Sequence, residues 1–92
     1  MLFCVEMTVN IPLDSDPIKM DEIKRAEKAR AIEIQESGQW PHLWRVSGKY
    51  SNISIFDVAS NDELHALLMS LPLFPYMDIK VTPLSQHPSS IH

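Results

Sequence analysis

From Leu2 to Asn10 the side chains alternate, with Phe3, Val5, Met7 and Val9 on one side and Cys4, Glu6, Thr8 and Asn10 on the other. From Pro17 the apolar spacing becomes that of a helix, and the chain makes the same switch again further on. A strand has a period of two and a helix one of 3.6, so this change of period limits the fold more than any other feature. Ser15 or Asp16 can cap the first helix, with Pro17 as its first residue. It runs to about Ser37, where Gly38 supplies a left-handed stop, and is roughly 30 Å long. Trp40–Ser47 and Tyr50–Val58 read as two strands joined by a tight turn at Gly48-Lys49. Ser60-Asn61-Asp62-Glu63 has the form of a capping box and opens a short helix carrying Leu64, Leu67, Leu68 and Leu71, which Pro72 ends. Tyr76–Thr82 alternates again, with Met77, Ile79 and Val81 on one side. Pro83–His92 has no period and reads as an extended tail.

The order βαββαβ predicts an α+β, ferredoxin-like domain spanning residues 1–92: a four-stranded antiparallel sheet with two helices on one face. The other face is left bare. A chain of 92 residues buries only about 60 to 65 % of its unfolded surface. Closure of the bare face by a second subunit's sheet, giving a symmetric dimer, is therefore expected. Alternation also sets Tyr50, Asn52 and Ser54 opposite Ile53 and Ile55, so that a polar pocket can form on one face.

With a net charge of −4, the chain is not built to hold nucleic acid. Its one cysteine, Cys4, has no intrachain partner, which fits a reducing compartment. The opening Met1-Leu2-Phe3-Cys4-Val5 lacks a basic region and runs into Glu6, unlike a signal peptide. The longest uncharged stretch, Ala66–Met77, contains two prolines and is too short to span a bilayer, which takes about 20 apolar residues. The expectation is a soluble cytoplasmic protein without a membrane partner.

His42, His65, His87 and His92 are scattered over different elements and Cys4 pairs with none of them, so no metal spacing is present. Gly38 and Gly48 are the only glycines, which excludes a phosphate loop. No Ser sits in a Gly-x-Ser-x-Gly elbow. Acid–base chemistry remains. Glu27 projects from the face that carries Met20, Ile23, Ala31 and Ile34, where burial would raise its pKa toward that of a carbon-acid base working near neutrality. The competing reading puts it at the rim of the stripe, paired with Lys24 or Arg30. Tyr50, Asn52 and His65 could donate to an enolate oxygen, each donor being worth roughly 3 kcal/mol. Against this, His65 also suits a helix surface, and Tyr50 and Asn52 suit a turn. Lys28 or Arg45 could hold an anionic substrate, or be solvated. Trp40 and Trp44 could wall a substrate site, or pack the hairpin.

Three stretches together carry a resemblance: His42-Leu43-Trp44-Arg45 with Gly48-x-Tyr50-x-Asn52; Phe56-Asp57-Val58 to Leu64-His65; and Leu71-Pro72-Leu73-Phe74-Pro75-Tyr76-Met77-Asp78-Ile79. With the Met1-Leu2-Phe3 opening and His87-Pro88-Ser89-Ser90-Ile91 near the end, nearly the whole chain resembles the muconolactone delta-isomerase family. The resemblance implies a cofactor-free enzyme of catechol degradation, in the β-ketoadipate pathway, that converts muconolactone to 3-oxoadipate enol-lactone. It also implies a ferredoxin-like subunit that dimerises and assembles as a decamer. The reaction moves a proton from the ring carbon bearing the carboxymethyl group to the carbon beside the lactone carbonyl, through a dienolate. Glu27 falls in the family's Glu-Lys helical motif, and Tyr50, Asn52 and His65 fall in its matched segments.

Two departures stand out: Cys4 where the family pattern has His, and Ile53 where it has Tyr. If position 4 faces the pocket, a hydrogen-bond donor is lost there. The alternatives are a chloromuconolactone dehalogenase using the same base, a non-catalytic ligand-binding module of the same fold, and an aromatic-oxidising monooxygenase of the dimeric ferredoxin-like type.

Overall fold

The computed structural model describes residues 1–92, and its elements follow the chain in the order strand, helix, strand, strand, helix, strand. The first strand, β1, covers Leu2–Val9. Helix α1 covers Pro17–Glu36, with the Asp16 carboxylate accepting from the Ile18 amide at 3.0 Å and Pro17 in the first turn. Past its end Gly38 has φ +85°, a conformation in which a side chain would be strained. Strands β2 and β3 cover His42–Arg45 and Ser51–Asp57. Both are shorter than expected, because a turn closed by Lys49 N–H to the Val46 carbonyl at 3.1 Å occupies the space between them, with Gly48 at φ +78°.

Helix α2 covers Asn61–Met69, and its cap is the one expected: Ser60 Oγ accepts from the Glu63 amide at 3.1 Å. The Glu63 carboxylate reaches back to the Ala59 amide at 2.9 Å, one residue before the cap, and also bonds Gln39. A single 3-10 turn, Phe74–Tyr76, leads into β4, Met77–Leu84. Strand β4 therefore runs two residues beyond Thr82, through Pro83. A proline is tolerated there because β4 is an edge strand, where a missing N–H removes no ladder bond that the sheet needs.

The sheet order is β2-β3-β1-β4, every pairing antiparallel. Its covered face carries Phe3, Val5 and Met7 of β1 and Ser54 and Phe56 of β3. Against these pack Ile34 of α1, Leu64 and Leu68 of α2, and Trp40, Val58 and Leu71 from the connections. Trp40 stacks on Phe56 with ring centroids 4.7 Å apart. It lies ahead of Pro41 and outside β2, so strand alternation does not extend to it. Each such side chain, fully buried, contributes about 1.5 to 3 kcal/mol.

Register assigns the uncovered face too. Cys4 sits opposite Ile55 and Thr82, Glu6 opposite Ile53 and Lys80, and Trp44 opposite Ile53. His42 and Trp44 stack there, centroids 5.1 Å apart. Cys4 and Ile53 thus lie on the side of the sheet away from the helices. No helix is long and apolar enough to cross a membrane.

Candidate active site

Where α1 crosses above the outer half of the sheet, a cavity of about 530 Å³ opens between them. That is an ordinary size for a small-molecule site. Three turns of α1 supply one wall, with Lys24, Glu27, Lys28, Ala31 and Gln35 at helical spacing. Leu43 and Arg45 of β2 and Asn52 of β3 supply the floor. They share a face because Leu43 pairs with Ser54 and Arg45 with Asn52. Tyr50, Trp40, Leu73 and Met77 complete the enclosure.

Glu27 is half-buried in this wall. Its Oε1 accepts a hydrogen bond from the Leu73 backbone amide at 2.9 Å. No cation comes within ion-pairing distance of it: Arg30 is turned to Glu33 and to Ser70 Oγ, and the remaining ion pairs lie elsewhere. Burial pushes the Glu27 carboxyl above the usual carboxylate range, and the Leu73 N–H opposes this only in part. A carboxylate that has lost solvent without gaining a counter-charge is poised to take up a proton.

The polar groups around it are donors. The Arg45 guanidinium lies 5.3 Å from the centroid of the Tyr50 ring, within cation–π range. Lys24 and Lys28 are exposed on the helical wall. The cavity therefore presents one carboxylate among three cations, with Tyr50 and Asn52 able to donate to an oxygen. The Trp40 indole N–H is buried without a hydrogen-bond partner.

Of the residues singled out in the sequence, Glu27, Lys28, Trp40, Arg45, Tyr50 and Asn52 line this cavity. Trp44 and His65 do not. Trp44 is one residue out of phase with Leu43 and Arg45, which puts it on the bare face at 55 % exposure. His65 is exposed on the outer side of α2, where the neighbouring Leu64 and Leu68 take the inward positions. Gln35 and Leu43 also line the cavity, as does Lys24, which the sequence offers only as an ion-pair partner for Glu27; spacing could have found all three. Lys24, Lys28, Ala31 and Gln35 follow three- and four-residue steps around Glu27 or one another, and Leu43 shares the alternation of Arg45. No sequence signal marks the Leu73 amide.

The fold is that of a small ferredoxin-like α+β protein, and its cavity sets one half-buried carboxylate among three basic side chains. The family model for muconolactone delta-isomerase matches residues 1–90. Muconolactone Delta-isomerase 1 of Acinetobacter lwoffii is 60 % identical over 91 residues, covering 99 % of this chain and 95 % of that one. The Cupriavidus pinatubonensis enzyme is 58 % identical, covering 99 % of each. A crystal structure of muconolactone isomerase superposes with a TM-score of 0.94 at 56 % identity, covering 100 % of this chain and 96 % of the other. The chain belongs to the muconolactone delta-isomerase family.

Proposed function

We propose that this protein is an isomerase that converts muconolactone to 3-oxoadipate enol-lactone in catechol degradation, by proton transfer alone. The observation that carries the reading is Glu27: a half-buried carboxylate without a cationic partner, in a cavity lined by three basic side chains. Glu27 takes the proton from the ring carbon that bears the carboxymethyl group. The electron pair moves through the ring double bond onto the lactone carbonyl oxygen, forming a dienolate. Asn52 and Tyr50 donate to that oxygen while its charge develops. Glu27 then returns a proton to the carbon beside the carbonyl, which restores the base. Arg45, with Lys28 and Lys24 at the rim, holds the substrate's free carboxylate, and the Trp40 indole borders the ring.

The dehalogenase alternative would use the same base, and the departures at Cys4 and Ile53 bear on substrate preference only if they face the cavity. Register directs both toward the bare face of the sheet, so neither changes the cavity of its own subunit. No observation favours that reading or the monooxygenase one. The bare face, with Trp44, Ile53 and Ile55, suits a sheet-to-sheet dimer as the unit of a larger assembly such as a decamer. The unpaired Cys4 suits the cytoplasm.

Proton NMR of the EDTA-treated protein with muconolactone in D2O tests the reaction. Conversion to enol-lactone, with deuterium uptake reporting how well the base is shielded, is the expected result. Unchanged substrate would refute the isomerase, and chloride release from a chlorinated lactone would then point to the dehalogenase.

A further inference from the structure

Ser54 is the only polar residue among the 14 buried ones, with 0 % exposure. It lies on the covered face of β3, opposite Val5 of β1 and Leu43 of β2. A hydroxyl in such a place needs an acceptor, because no water reaches it. The acceptor is Asn52 Oδ1, two residues back on the same face, at 2.8 Å. Ser54 Oγ has no other side-chain hydrogen bond. The reverse arrangement, with the amide nitrogen donating to Ser54, would leave the serine proton buried without a partner. Satisfaction of the hydroxyl therefore decides which way the amide lies.

We infer that Ser54 is a positioning residue: by holding Asn52 Oδ1 toward the core, it presents the Asn52 NH2 group to the cavity. That NH2 group has no partner within the protein. An amide turned the other way would set its carbonyl oxygen against the dienolate oxygen, replacing attraction with repulsion. The inference rests on Asn52 being the oxyanion donor proposed above. It extends that reading to a residue that does not touch the substrate.

A double-mutant cycle on muconolactone turnover tests it, with thermal melts of every variant. Asn52→Ala lowers kcat by about 10² if Asn52 is the donor. Ser54→Ala lowers kcat about fivefold with KM unchanged, the value of one neutral hydrogen bond. Added to Asn52→Ala, it lowers kcat no further. Ser54→Cys fills the same space with a weak donor. It is expected to lose activity in the same direction, which keeps the test open if the alanine variant does not fold. Unchanged kcat in folded Ser54 variants, or effects that multiply in the double mutant, would overturn the positioning role while leaving Asn52 as donor. Unchanged kcat in Asn52→Ala would overturn both.

Discussion

The carboxylate of Glu27 and the backbone amide of Leu73, 46 residues apart in the chain, meet at 2.9 Å across the top of the cavity. Leu73 is buried and is flanked by Pro72 and by the Phe74–Tyr76 turn, so the donor is held on a stiff segment. This contact orients the carboxylate, and burial keeps it easy to protonate.

If Glu27 is the base, Glu27→Gln lowers kcat by about 10² to 10⁴. The glutamine oxygen can still accept from Leu73, so the fold should persist. Steady-state turnover with a parallel thermal melt checks both points. A variant retaining more than a tenth of the wild-type rate would show that the proton is taken elsewhere.

The raised pKa of Glu27 has consequences of definite sign. If Glu27 is the base, activity requires its ionised form, and kcat/KM should fall on the acid side with an inflection above the ordinary glutamate value of about 4.3. For stability, the folded chain keeps this proton to higher pH than the unfolded chain does. Glu27 therefore destabilises the fold above roughly pH 4.3, and has no effect well below it, where both states are protonated. Melting wild type and Glu27→Gln at pH 8 and at pH 3.5 should reveal a relative gain for the variant only at pH 8.

Replacing Arg45 with Met should raise KM several-fold with a smaller effect on kcat, and Lys28→Met should do so to a lesser degree. Arg45 stands on the cavity floor beside Tyr50, whereas Lys28 is exposed on the wall. Unchanged KM in both variants would place the anion site outside this cavity.

His65 is turned to solvent on α2, so His65→Ala should leave kcat and KM within about twofold, an ordinary outcome for a surface substitution away from special features. A large loss in the kinetic assay would mean that His65 reaches an active site in the assembled protein.

The bare sheet face should self-associate. Light scattering at micromolar concentration is expected to give a mass well above the 10.5 kDa of one chain. Ile53→Lys, on the centre of that face, should reduce it. A monomeric wild-type protein would contradict the paired-sheet reading.

Much of this was legible in the residues alone. The alternation of β1, the Asp16 and Ser60 caps and the Gly38 stop are local rules, obeyed within a few residues, and they lead directly to the observed element order. Glu27 stood out because helical spacing placed it among apolar neighbours. The hairpin is less legible. Pro41 takes Trp40 out of β2, and the Val46–Lys49 turn shortens both strands, so the two tryptophans end on opposite faces of the sheet with different surroundings.

The residues alone carry the elements, their order and which side chains lie together within a regular strand or helix, since these depend on backbone preference and periodicity over short distances. That Glu27 has no cation beside it, that a Leu73 amide holds it, and that Ser54 is dry enough to govern Asn52 emerges only once the chain is folded. Charge pairing, desolvation and backbone donors depend on where distant segments come to rest, and local pattern carries no record of that.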